Sequence, residues 1–343
     1  MKNLLVIAQK VDENDDHRGV FVEWLQEFSK KFDEVSVITV ALGQYKLPQN
    51  VRVYSLGKER GIPKFIQAMR FYWYLIQLTS KSDGIFAHAS PIFVIASWPI
   101  ATMYGKKIAL WYTHKSVTPK LRLATRLADI IFTASRESFR LASSKVIVTG
   151  HGIDTDQFRP ADTKTPSDRL RIISVGRIAP VKNYETLIEA CKILLDRHID
   201  FYVTIVGEPS LEKDKQYQKQ IKHNITSLGL ERFFDFIGKV NYRDLPLRYQ
   251  ANDIFVHLSK TGSLDKTLLE AMSCGINVLS SNDAARKFLS AEFLFNENDS
   301  KELADKIERI SKTSPAGSLR QYVVENHNIH KLIDKISQLM KNK

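Results

Sequence analysis

Short apolar runs recur along nearly the whole chain, each bounded by polar turns and separated from the next by a helical pattern. In the first half they are LLVIAQ, VSVITV, VRVYSL, IFAH, KIALWYTH, IIFTAS and KVIVTG, with VFVEWLQEFSKKF an early helix. Strands that are apolar on both faces and alternate with helices belong to parallel sheets covered on each side. The plan repeats with RIISVG, FYVTIVG, FFDFIG, IFVHLS, INVLSS and EFLF. YETLIEACKILLD places apolar residues at 187, 188, 191, 194 and 195, one face of a helix. With 343 residues there is chain enough for two full cores. The pattern predicts an α/β protein of two Rossmann-like, doubly wound parallel-sheet domains. Between them DTDQFRPADTKTPSDRL, rich in Pro, Asp and Thr, reads as a linker near residue 160. We expect domains over 1–160 and 161–325, facing a cleft, and a last helix over 326–343 that crosses back to the first domain. Ligands of such sheets bind beyond the carboxyl ends of the strands.

A composition of 43% hydrophobic and 26% charged residues excludes a disordered or collagen-like chain. The net charge of +12 is concentrated early, since residues 1–160 carry 22 Lys and Arg against 14 Asp and Glu. Such a field attracts nucleic acid, an anionic membrane surface or a phosphorylated substrate, and charge alone does not choose among them. Only Cys191 and Cys274 are present, and MKNLLVIAQKVDEND lacks the layout of a secretory signal. A reduced, cytoplasmic setting is expected, and peripheral contact with the inner face of the cell membrane stays open. No run approaches the roughly 20 apolar residues of a membrane span.

The chemistry is sought in loops after strands. In SVGRIAPVKNYETL, Gly176 lets the backbone turn, Pro180 delays the helix and Asn183 is placed to cap it, so Arg177 and Lys182 lie on one short loop. Two fixed cations can grip a diphosphate and stabilise it as it leaves; they can equally be two solvated surface residues. TGSLDKTLLEAMSCG follows IFVHLS. Asp265 is placed to cap the helix, whose first N–H groups form an anion site, and Lys266 and Glu270 share a face one turn apart. Lys before Glu is the weaker order for a plain ion pair. A carboxylate at 270 suits paired ribose hydroxyls, because its two oxygens accept both.

Four segments together resemble the retaining GT-B glycosyltransferases of family 4, which use nucleotide sugars: VTGHGIDTDQFRP, VGRIAPVKNYETLIEA, IGKV, and DIFVHLS through LLEAMSCGINVLSS. The resemblance covers nearly the whole chain. It implies that Arg177 and Lys182 bind the diphosphate, that Glu270 holds the ribose, and that the backbone at Ile237, Gly238 and Val240 meets the base. It further implies that His114 faces the donor sugar and that Gly19 lets the first loop approach the donor. Members retain anomeric configuration and need no metal or cofactor beyond the nucleoside-diphosphate sugar, and the first domain takes the acceptor, here a glycan or lipid-linked hydroxyl. One departure is clear. The family's usual first glutamate is replaced by Gly262, and the turn that touches the sugar becomes Ser263, Leu264, Asp265, Lys266 and, after it, Thr267.

Other features have plain readings beside functional ones. The triplet at 154–156, Asp-Thr-Asp, resembles a metal-binding motif but sits in the linker, and neither the histidines nor the cysteines show ligand spacing, so no metal is expected. His88, His151 and His257 interrupt apolar runs as structural histidines do. KFIQAMRFYWYLIQLTSK and PIFVIASWPIATMYGKK are either two core helices or, with Trp73, Tyr74, Lys58, Arg60, Lys64 and Arg70, a surface for anionic lipid. A nucleotide-sugar binder without catalysis is the alternative that Gly262 raises. Nucleic acid is not expected as a partner, because no recognition module is present and the charge is diffuse.

Overall fold

The computed structural model describes residues 2–15, 19–163, 166–259 and 264–341. The chain divides into two compact units, Met1–Gly152 with His327–Lys343, and Ile153–Asn326. In the first, the order is β1 (Asn3–Val11), α1 (Val20–Ser29), β2 (Glu34–Leu42), β3 (Val51–Ser55), α2 (Lys64–Thr79), β4 (Gly84–His88), α3 (Pro91–Met103), β5 (Lys107–Trp111), α4 (Pro119–Leu127), β6 (Ile130–Thr133) and β7 (Val146–Val148). The second contains β8 (Leu170–Val175), α5 (Tyr184–Asp196), β9 (Phe201–Val206), α6 (Glu212–Ser227), β10 (Phe234–Gly238), α7 (Leu245–Gln250), β11 (Ile254–His257), α8 (Lys266–Ser273), β12 (Asn277–Ser280), α9 (Ser300–Ser311) and α10 (Gly317–Asn326). The last helix, α11 (Ile329–Lys341), belongs to the first unit.

Each unit is built on a parallel sheet. The strand order is β3-β2-β1-β4-β5-β6-β7 in the first and β10-β9-β8-β11-β12 in the second. Alternation along β1 sends Leu4, Val6 and Ala8 to one face and Leu5 and Ile7 to the other. The first face is covered by α1 and α11, through Trp24, Phe28, Leu332 and Ile336. The second is covered by α2, α3 and α4, through Leu75, Val94 and Leu121. Helix starts follow local chemistry: Thr118 Oγ1 accepts the N–H of Leu121 at 3.1 Å with Pro119 next in line, and Asp299 accepts the N–H of Glu302 at 2.8 Å.

Two local expectations are corrected. Residues 292–295, EFLF, form no strand. After a 3₁₀ turn at Ala291–Phe293, Leu294 makes a single parallel bridge to Ser280, and Phe293 and Phe295 are apolar because they fill the core. Asn183 does not cap α5. It lies in the left-handed region, at φ 48°, and its amide reaches Thr186 Oγ1 at 2.8 Å and Asn298 Oδ1 at 3.1 Å. Residues 153–158, at the start of the Pro-rich stretch, are tied down. Ile153 and Phe158 are fully buried in the second unit, and Arg320 donates to the carbonyls of Thr155 and Phe158 at 3.1 and 3.0 Å.

Helix α11 completes the first core. Ile329, Leu332, Ile333 and Ile336 are fully buried, His330 Nδ1 lies 2.9 Å from Glu27 Oε2, and Lys31 pairs with Asp334 at 2.6 Å. Ile333→Ala should therefore lower stability by about 2–4 kcal/mol, the usual cost of such a truncation in a packed core. Urea unfolding followed by tryptophan fluorescence checks this, since Trp24 and Trp111 lie in the same cluster.

Candidate active site

In the second sheet the winding reverses between β8 and β11, the place where doubly wound sheets open a crevice at their carboxyl edge. The loops after these two strands meet there. Lys182, on the 3₁₀ turn Pro180–Lys182, places Nζ 2.8 Å from Asp265 Oδ2. Gly176 makes room for it. At φ 142° the residue lies outside the range of ordinary side chains, and a Cβ there would stand 2.9 Å from Lys182 Cε and 3.0 Å from Nζ. The lysine thus folds over the strand-end glycine toward the facing loop.

Asp265 has several partners. Its Oδ1 accepts the backbone N–H and hydroxyl of Thr267, at 3.3 and 3.1 Å, which caps α8 as expected. Its Oδ2 lies 3.2 Å from His257 Nε2, and His257 Nδ1 lies 3.1 Å from Ser280 Oγ. Burial opposes ionisation of Asp265, but Lys182 and His257 outweigh it and hold the carboxyl well below the usual range. Burial also lowers the His257 value, and Asp265 only partly offsets this, so the ring is neutral near pH 7. A neutral ring facing an ionised carboxylate donates from Nε2, and its Nδ1 accepts from the Ser280 hydroxyl.

Glu270, one turn further along α8, is buried and accepts the Tyr249 hydroxyl at 3.2 Å. Burial pushes its carboxyl up to about 7, against the opposing pull of Lys266 and a hydrogen bond from Tyr242. Lys266 Nζ stands 5.3 Å from the centre of the Tyr242 ring. Arg177 goes elsewhere. Its Nε is 3.8 Å from Oδ2 of the buried Asp214, in the first turn of α6. The two cations placed on one loop by the sequence thus take separate carboxylates.

The remaining strand ends border the same edge. Gly176 N–H donates to Val206 O at 2.9 Å and Gly207 N–H to Gly238 O at 2.8 Å. The Glu208 carbonyl accepts the N–H of Ile178 at 3.2 Å, and its carboxylate accepts that of Lys239 at 3.3 Å. Ile237 and Val240 flank this turn, half-buried against the core. Leu264 sends its side chain into the core. Ser263, with Gly262, lies outside the described residues.

His114 and Gly19 belong to the first unit. His114 is exposed just after β5, and its Nδ1 accepts the Ser116 N–H at 3.1 Å. Gly19 begins α1. A Cβ there would come within 2.7 Å of Asp15 O and 2.8 Å of Glu13 O, so packing of the loop itself requires a glycine. Asp154 of the Asp-Thr-Asp triplet accepts the N–H groups of Asp156 and Gln157, each at 3.0 Å, and closes a turn. Sequence reasoning missed Glu208, Tyr242, Tyr249 and Asp214. Glu208, between two turn-forming residues straight after a strand, carried a readable signal; the tyrosines, one on α7 and one just before it, did not.

Residues 155–326 match the model of the family "Glycosyl transferases group 1". The chain belongs to that family. A putative colanic acid biosynthesis glycosyltransferase of Escherichia coli is 25% identical over 68% of this chain and 62% of its own length. The mannosylfructose-phosphate synthase of Agrobacterium fabrum is 30% identical over 40% of this chain and 33% of its own. The matched stretches thus span less than two thirds of these two relatives. Among solved structures, Anabaena HepE in complex with UDP superimposes with a TM-score of 0.79 at 19% identity, covering 99% of both chains. Sucrose-phosphate synthase from Thermosynechococcus elongatus gives 0.78 at 16%, over 99% of this chain and 98% of its own. The fold of this glycosyltransferase-family chain is GT-B.

The buried Glu270 makes stability depend on pH. Its value rises from 4.5 to about 7, so between these limits the folded chain holds a proton that the unfolded chain releases. The stabilisation is complete below the lower limit and is lost as pH rises through the upper one. Glu270→Gln cannot titrate. Its stability relative to the parent should rise by up to about 3 kcal/mol between roughly pH 5 and pH 8. Urea midpoints across that range check it, and a difference independent of pH would rule out the perturbed carboxyl.

Proposed function

We propose that the protein transfers a sugar from a nucleoside-diphosphate sugar to a hydroxyl group of a glycan or lipid-linked acceptor, with retention of anomeric configuration and without a metal. The observation that carries this is the meeting of Lys182 with the ionised Asp265 at the switch point, one helical turn from the buried Glu270. Family membership and the complex of HepE with UDP support it.

Lys182 is already fixed within reach of two loops, and a diphosphate carries more charge than the aspartate that now holds it. When the sugar bond breaks, negative charge grows on the departing phosphate, and a preset ammonium stabilises that state more than the ground state. Arg177 is the second candidate cation for the same group. Asp265 repels phosphate and so is suited to the neutral hydroxyls of the sugar. Glu270 takes the ribose hydroxyls as a carboxylate, giving up its proton as the nucleotide binds. Ile237, Gly238 and Val240 are assigned to the base. His114 is assigned to the transfer step. The setting is cytoplasmic, where the buried thiols of Cys191 and Cys274 stay free.

A melting-temperature screen with UDP and GDP tests the binding half, since a ligand bound only by the folded chain raises the melting temperature. Lys182→Ala should abolish the shift seen in the parent, and should cost about 10²–10³ in transfer rate. His114→Ala should keep the shift and lose turnover. If neither nucleotide shifts the parent, the proposal fails. A shift without release of nucleoside diphosphate from any nucleotide sugar would instead identify a binder that does not catalyse.

A further inference from the structure

Helix α2 carries two apolar stripes. Phe71, Leu75 and Thr79 face the sheet and are buried. On the outer side Phe65, Met69, Tyr72 and Ile76, spaced by four, three and four, form a second stripe that is exposed, with Phe65 at 67% and Met69 at 68%. Trp73 stands beside it, 56% exposed. In an ordinary surface helix this side is charged. Helix α3, packed between α2 and α4, contains no charged residue from Pro91 to Met103, and yet Ile92, Trp98 and Met103 are exposed. Leu123 of α4 adds to the same layer. Exposed apolar area of this extent, on three neighbouring helices, marks a surface that meets something less polar than water.

The charges around it select the partner. From Arg60 to Arg126 the chain carries ten Lys and Arg and a single acid, Asp83. That carboxylate is engaged, accepting the Asn3 N–H at 2.7 Å. Trp73 and Tyr74 also wall a cavity of about 500 Å³ together with Tyr54, Glu59, Arg60 and Arg70. Its one carboxylate, Glu59, accepts Leu42 N–H at 3.2 Å and the Ser55 hydroxyl at 2.8 Å and lies 3.7 Å from Arg60 Nε, so with Arg60 and Arg70 against one acid the lining carries a net positive charge. Two copies of such a face repel one another. An anionic bilayer surface supplies both what the stripe and what the cations require: acyl chains for Phe65, Met69 and Ile76, the interfacial zone for Trp73, Tyr72 and Trp98, and phosphates for Lys64, Arg70 and their neighbours.

We propose that the outer face of α2, α3 and α4 docks the protein on anionic lipid membrane, with Phe65, Met69, Tyr72, Trp73 and Ile76 entering the headgroup region. No helix among the described residues is long and apolar enough to cross a membrane, so the contact is with the surface. The proposal does not depend on the transfer reaction and is tested without it.

The full chain is floated with vesicles of equal parts phosphatidylglycerol and phosphatidylcholine, and with phosphatidylcholine alone, at low and high salt. The expected result is flotation on the anionic vesicles at low salt and little on the neutral ones. Phe65→Ser/Met69→Ser/Ile76→Ser should weaken partitioning by about tenfold or more, and Lys64→Ala/Arg70→Ala by roughly tenfold. Far-ultraviolet circular dichroism shows whether each variant stays folded. A second readout uses brominated phosphatidylcholine in the same vesicles. Trp24 and Trp111 are buried while Trp73 and Trp98 are exposed, so quenching should be large in the parent and fall in Trp73→Phe. No flotation on anionic vesicles at low salt, or flotation and quenching untouched by folded variants, would overturn the proposal. So would concentration-dependent dimerisation that the triple substitution abolishes, since the face would then be covered by a second copy.

Discussion

The ion pair of Lys182 and Asp265 holds together the parts on which the rest of the second unit's site depends. The two residues come from loops that leave neighbouring strands, β8 and β11, where the winding reverses. Both loops also bury apolar side chains, Ile178 from the first and Leu258 and Leu264 from the second, so the pair fixes the polar side of an approach that the core already supports. In the pair, one carboxylate serves as helix cap, counter-ion and partner of a buried imidazole. Partial burial strengthens the pair relative to an exposed one, since less water competes for either charge. Gly176 is the steric condition for the whole arrangement, because any side chain there would occupy the space that Lys182 crosses.

Much of this was legible in the sequence, for identifiable reasons. Parallel strands are buried on both faces, so they stand out as uninterrupted apolar runs, and twelve of those expected pair in the two sheets. Helix α5 follows the face read from 187, 188, 191, 194 and 195: the first four are buried and Leu195 is partly so. EFLF misled because burial and strand pairing draw on the same residue types, and only tertiary context separates them. Asn183 misled because its amide found side-chain partners in place of the helix N–H groups. The candidate site was legible as two loops, but not as a network. That Lys182 would choose Asp265, Arg177 choose Asp214, and Glu270 lie under Tyr249 depends on contacts 83, 37 and 21 positions apart in the chain. No local pattern encodes such distances.

The first unit shows how a sheet with two similar faces acquires two different surfaces. On one face α1 is joined by α11, which arrives from the far end of the chain and buries nearly all its apolar residues. On the other, α2, α3 and α4 follow their strands locally and retain apolar residues beyond those the core takes up. The surplus is not a by-product of core packing, since Phe71 and Leu75 already satisfy the sheet. Periodicity alone could not reveal this, because two apolar stripes on one helix look like a helix buried all round.

The protonation states of the second unit's carboxylates also bear on how a donor would be received. Asp265 is held charged by its neighbours, while Glu270, only one turn along the same helix, is held near the midpoint of its titration by burial. Two charged carboxylates so close would repel; keeping the buried one partly protonated relieves this and lets it wait with the Tyr249 hydroxyl as its partner. On the proposed function, a nucleotide reverses both conditions. Its diphosphate would draw Lys182 away from Asp265, and its ribose hydroxyls would supply hydrogen bonds that favour an ionised Glu270. Binding would then be linked to proton release from Glu270, and to the loss of the ion pair between the loops after β8 and β11. Because each carboxylate rests in a different state before anything binds, such a site would read charge at one end and hydroxyl geometry at the other.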